Sequence, residues 1–208
     1  MPQPQEQRER LTRERLTEEI GRVVAEVEQL TGLRSRWNGT VTVLDDRTAA
    51  LFSPEPYSAK KEWSCSITVV TSVAAEDGRW RTLIHEALHS VSIGLTPQSF
   101  LLFPYWEEGV VENLQRLYRP ILLKRLGLAV TEAAFTATEA EWRYSAPVDA
   151  LRRIMAELPA TGEQEFMERL LRVPLASRKA TVFGWGRGAE DFERFKRVYA
   201  EASGHLNG

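Results

Sequence analysis

The feature that most constrains this chain is a pair of histidines, His85 and His89, set four residues apart in Ile84-His85-Glu86-Ala87-Leu88-His89. Ile84, Ala87, Leu88 and Val91 recur with helical spacing, so a largely buried helix is expected from about Gly78 to Ile93. Asp77 can cap its start, and Gly94 and Pro97 end it. Residues four apart share one helix face, so both imidazoles can point at one ion. Burying two imidazoles and a carboxylate in an apolar helix is costly unless they share a partner. Glu86 is turned about 100° around the helix axis. It can flank a bound ion without ligating it, where a base takes a proton from metal-activated water. The pattern is H-E-x-x-H, and it points to zinc.

Around this helix, strands fill the first half of the chain and helices the second. A long amphipathic helix is expected from about Gln5 to Leu30, with Leu16, Ile20, Val23, Val24, Val27 and Leu30 on one face and Gly32 as its C-terminal cap. Trp37-Asn38-Gly39 reads as a turn. Thr40 to Leu44 and Ala49 to Phe52 read as short strands, and Pro54 and Pro56 mark a loop. Ser64 to Val73, rich in Ile, Val and Thr, is the strongest strand signal. Beyond Pro104 the pattern is helical almost to the end. Breaks are expected at Pro120, Gly127, Pro147, Pro159 and the run Phe183-Gly184-Trp185-Gly186-Arg187-Gly188, which reads as a flexible loop. The fold class is therefore α+β: a small twisted sheet followed by a mainly helical C-terminal half. Residues 1–35 form the N-terminal helix and 36–208 a single domain.

The segment Trp106-Glu107-Glu108-Gly109-Val110-Val111 follows the histidines, and eighteen residues separate His89 from Glu108. Motif and spacing together resemble the gluzincin clan of zinc metallopeptidases, the thermolysin-like and aminopeptidase N-like enzymes. The aminopeptidases place a glutamate at that distance in a segment like W-x-N-E-G-x-A; here Glu107 replaces the asparagine. The resemblance spans roughly Ser64 to Leu171 and implies a zincin-like fold with His85, His89 and Glu108 as zinc ligands. Glu86 is then the general base, and peptide bonds are hydrolysed by metal-activated water. Glu107 reads as solvated surface. Glu112, one turn after Glu108, stands where the clan often places an acid behind a ligand histidine; the plainer reading is an exposed helix charge. The metzincin pattern needs a third histidine soon after the helix, and none occurs between His89 and His205.

The aminopeptidases stabilise the oxyanion with a tyrosine opening a Y-x-K-G-A helix. Arg143-Tyr144-Ser145-Ala146-Pro147-Val148 opens a similar apolar helix here, followed by a second from Glu163 to Leu171, and the resemblance assigns that role to Tyr144. The lysine and glycine of that motif are absent, and the segment starts closer to Glu108. Tyr199 and His205 are the alternatives, read as a packed aromatic and a frayed terminal histidine. Phe192, Phe195, Val198 and Tyr199 read as core. The clan lays its edge strand along the cleft, so Ser64 to Val73 is either a substrate-binding edge or an interior strand. No G-x-M-E-N segment for a substrate amine is present, which favours endoproteolysis.

The 27 Lys+Arg and 29 Asp+Glu give a net charge of -2, so no basic field recruits nucleic acid or anionic lipid. The densest basic stretch, Arg8 to Arg15, is interleaved with glutamates and reads as a solvated helix face. Cys65, the only cysteine, excludes intrachain disulfides and reads as a small packed residue; with no apolar leader visible, a cytoplasmic location is expected. The expected partner is a peptide or protein substrate, with neither nucleic acid nor membrane. Two other functions fit the same residues: a metal-binding scaffold with little turnover, and a zinc hydrolase of a non-peptide amide or ester.

Overall fold

The computed structural model describes residues 4–44, 65–70, 77–130, 133–136, 139, 143–159 and 162–207. The chain divides into two compact units, Met1–Val91 with Arg119–Ala134, and Ser92–Tyr118 with Phe135–Gly208. Strands precede a mostly helical second half, an α+β arrangement. No helix among the described residues is long and apolar enough to cross a membrane.

In the first unit, helix α1 spans Pro4–Thr31. Leu16, Ile20, Val23, Val24 and Val27 are buried, as their spacing predicts, and this helix packs against strand β1 (Trp37–Leu44) and helix α2 (Arg79–Val91). Gly32 closes it at φ 66°, donating its N–H to the Glu28 carbonyl at 2.8 Å. The next residues are pinned at both sides. Ser35 N–H donates to Glu28 Oε1 (2.7 Å), and Arg36 N–H to the Ser90 carbonyl (2.9 Å) at the end of α2.

Strands β1 (Trp37–Leu44) and β2 (Cys65–Val70) pair in parallel. The turn chemistry of Trp37-Asn38-Gly39 does not end the strand. It is absorbed as a register irregularity between Trp37 and Val41, with Gly39 at φ 80° and Asn38 Oδ1 accepting the Thr40 N–H at 2.8 Å. The strand expected at Ala49 to Phe52, the Pro54–Pro56 loop and the Cys65 side chain lie outside the described residues, as do the ends of the expected strand Ser64 to Val73.

Helix α2, Arg79–Val91, carries both histidines. Its first residue is fastened to α1 by a two-pronged ion pair: Arg79 Nε and Nη2 donate to the Glu19 carboxylate at 2.9 and 3.1 Å.

The second unit opens with α3 (Pro97–Leu102), begun by a capping box between Thr96 and Ser99. Helix α4 runs over Pro104–Arg125, its residues to Tyr118 in the second unit and those from Arg119 in the first, and continues past Pro120, where a break is expected from sequence. Pro120 is exposed, and the helix continues past it although its ring removes one donor from the backbone ladder. The helix ends at Gly127, φ 69°. Gly127 N–H donates to the Lys124 carbonyl and Leu128 N–H to the Leu123 carbonyl, a Schellman closure. After the short α5 (Ala133–Thr136) come α6 (Ser145–Ala156), α7 (Glu163–Leu171), α8 (Leu175–Gly186) and α9 (Phe192–Leu206).

Pro147 is also no break. It sits in the first turn of α6, where a missing N–H costs nothing. The glycine run is a helix end and not a flexible loop. Gly184 and Gly186 lie within α8, and the Phe195 ring of α9 fills the place a Gly186 side chain would need. Phe195 and Tyr199 are buried on α9, which packs on α6. Tyr199 Oη donates to the Lys179 carbonyl (2.7 Å), and burial pushes its pKa up; it is a packed aromatic, and His205 is exposed in the last turn. Glu163 begins α7. Burial alone would raise its pKa, but hydrogen bonds from Asn113 and Arg152, and the Arg152 charge, hold it below the usual range.

The connection after α2 is closed by backbone bonds from Ile93 N–H to the Leu171 carbonyl and from Leu175 N–H to the Ile93 carbonyl, both 3.1 Å. Gly94 at φ 66° lies so close that an added Cβ would stand 2.8 Å from Pro174 Cβ and 2.9 Å from its Cα. Gly94→Ala therefore combines backbone strain with a clash against backbone and is expected to cost about 1–3 kcal/mol. Denaturant unfolding should show a lower midpoint at an unchanged slope.

Candidate metal centre

His85 and His89 sit one turn apart on the buried side of α2, and both are at most 8% exposed. Their Nε2 atoms are 3.1 Å apart and the rings meet edge to face at 75°, centroids 4.7 Å apart. Two nitrogens each about 2.05 Å from a tetrahedrally coordinated ion stand about 3.3 Å apart, so the imidazoles hold the spacing such an ion requires. Glu108, in the first turns of α4 and 6% exposed, completes the group. One ligand atom from each of His85, His89 and Glu108 lies within 4.8 Å of those of the other two. Two imidazoles and one carboxylate in a buried place can hold a metal ion. Glu86, half-buried on α2, and Glu112 are not members of that group.

The segment around Glu108 divides its work residue by residue. Trp106 is fully buried. Gly109 is required by close approach, because an added Cβ would stand 2.9 Å from Leu151 Cδ1 and 3.1 Å from Pro147 Cβ on α6. Glu107 differs from the sequence expectation. It is not solvated surface but wholly buried, its Oε2 accepting from Arg178 Nη1 (2.6 Å) and Ser92 Oγ (2.9 Å). The physical reason is Arg178 of α8, itself fully buried, which supplies the countercharge that lets a carboxylate sit there. A signal for it exists in the sequence: Arg178 shares the face of Leu175 and Val182, both core residues.

Glu112 is likewise not an exposed helix charge. It is fully buried and accepts from Arg116 Nε at 2.9 Å. Arg116 Nη2 donates in turn to Ser145 Oγ (3.0 Å) and to the Glu139 carbonyl (3.4 Å). Ser145 opens α6 directly after Tyr144, which is half-buried with the Arg143 guanidinium 4.5 Å above its ring. Arg116 thus ties the Glu112 turn of α4 to the start of the helix that carries Tyr144. Nothing in the bare sequence marks it as more than another basic helix residue.

No family model matches the chain, and no curated protein or solved structure matches it.

The two adjacent glutamates are expected to fail differently when truncated. Glu108→Ala should weaken metal uptake by orders of magnitude while the metal-free chain stays folded. Glu107→Ala strands the buried Arg178 charge and should cost about 3–5 kcal/mol of stability. Equilibrium dialysis against zinc and thermal unfolding of the metal-free proteins separate the two. A stable Glu107→Ala variant that has lost its metal would reverse the assignment.

Proposed function

We propose that this chain is a zinc-dependent metallopeptidase of the gluzincin type with a reduced zincin-like fold. The observation that carries the reading is the buried His85–His89–Glu108 group with Glu86 beside it on α2. Two imidazole nitrogens and one carboxylate oxygen suit zinc and leave a coordination position open for chemistry. When bound, zinc polarises a carbonyl oxygen and lowers the pKa of water.

The rest of the reaction belongs to the chain's own side chains. His85, His89 and Glu108 hold the ion. Glu86 takes the proton from the attacking water and passes it to the departing amine, so that the C–N bond breaks as an acid and an amine form. Its half-buried position suits a base that must meet substrate. Tyr144 donates a hydrogen bond to the oxygen that becomes negative as the carbonyl turns tetrahedral. The Glu112–Arg116–Ser145 chain steadies the turn from which Tyr144 projects. The substrate is a peptide or protein cut internally, and the single cysteine suits a reducing, cytoplasmic setting.

Purified wild type should carry about one zinc per chain, and His89→Ala should carry none. Glu86→Gln should keep both metal and fold while losing peptide hydrolysis, because an amide cannot accept the proton. Tyr144→Phe should keep the metal and turn over about a hundredfold or more slowly. Digestion of a mixed peptide library, read by mass spectrometry beside metal analysis, checks all of these. Zinc-loaded wild type that cuts no peptide, but cleaves another amide or ester with the same Glu86 dependence, would move the substrate class. Zinc-loaded wild type that cuts neither would leave a metal-binding scaffold.

A further inference from the structure

Arg178 uses every edge of its guanidinium. Nη1 donates to Glu107 Oε2 (2.6 Å) and the Trp106 carbonyl (3.3 Å), Nη2 to Ser92 Oγ (2.6 Å), and Nε to the Val173 carbonyl (3.3 Å). Ser92 Oγ passes a further hydrogen bond to Glu107 Oε2 at 2.9 Å. Arg178, Glu107 and Ser92 are each fully buried. Ser92 is the residue directly after the histidine helix, and Glu107 directly precedes the carboxylate ligand. One rigid planar fork therefore grips the chain next to both contributors of the candidate centre.

Stability alone does not explain such a clamp. Desolvating two charges is expensive, and apolar residues of similar shape are often as stable or more so. What a buried pair held by several hydrogen bonds does supply is a single geometry. That matters here because Glu107 and Glu108 are neighbours on one turn, about 100° apart around the axis, and either could be rotated towards the histidines. We infer that Arg178 is a positioning residue for the metal centre. By holding Glu107 and Ser92 it fixes the rotation of α4 that presents Glu108 as ligand and withholds Glu107, leaving a single carboxylate charge at the ion. This inference rests on the metal-centre reading above.

The full-length chain tests it with zinc and cobalt(II) as probes. Glu107→Gln/Arg178→Met replaces the ion pair with neutral groups of similar shape, and Arg178→Lys keeps the charge but removes the fork. Both are expected to fold when metal-free and to bind zinc about 10- to 100-fold more weakly than wild type. Both should also show a cobalt visible band shifted in position or intensity, which loss of stability alone would not produce.

Wild-type zinc affinity and an unchanged cobalt spectrum in the two variants would overturn the positioning role while leaving the centre intact. A wild-type chain that takes up neither ion would sink the metal reading and this inference with it. If the double variant does not fold, Arg178→Lys decides by the same two readouts. If that variant too is unfolded without metal, Arg178 is a fold determinant only and the positioning role falls.

Discussion

Two imidazole nitrogens facing each other at 3.1 Å inside a buried helix are the constraint around which the rest is arranged. In water such a pair would separate and hydrate. Inside the protein the two rings are held together, within hydrogen-bond distance of one another. At that spacing they can also share a cation, and a buried carboxylate within the same few ångströms can balance its charge. Helix α2 can present this arrangement because its remaining faces are ordinary core. Ile84, Ala87, Leu88 and Val91 are buried, and Arg79 fastens its start to Glu19 of α1.

The first turns of α4 meet a harder packing problem. Trp106, Glu107, Glu108 and Gly109 are consecutive, and none faces water. A helix surrounded on all sides must find a separate neighbour for each direction. Apolar packing, an ion pair with Arg178, the histidine group and the backbone of α6 against Gly109 are the four solutions. Three buried carboxylates, Glu107, Glu108 and Glu112, lie within two turns. Arg178 and Arg116 keep two of them from adding unbalanced charge to the third.

Much of the local structure was legible in the chain itself. The apolar stripe of α1 placed that helix to within one residue at each end. Gly32, Gly94 and Gly127 all adopt positive φ next to the helices they close. Glu163–Leu171 has the boundaries its pattern predicts. Where local signals misled, helix position or a tertiary neighbour decided the outcome. Helix α4 continues past the exposed Pro120, Pro147 falls in a first turn, Gly184 and Gly186 continue a helix beside Phe195, and the Asn38-Gly39 turn chemistry survives as a bulge in β1.

The sequence by itself determined the histidine face, because the four-residue spacing and the helix period are properties of the chain alone. Glu108 was singled out only by the resemblance of its spacing and of Gly109 to the gluzincin pattern. The environment of the other acids was decided only in three dimensions. Glu107 and Glu112 look like any surface glutamates until Arg178, seventy-one residues away, and Arg116, one turn away, are seen to neutralise them in the interior. Whether a carboxylate is buried depends on its countercharge, and a countercharge brought by a distant helix leaves no mark on the residues around the acid.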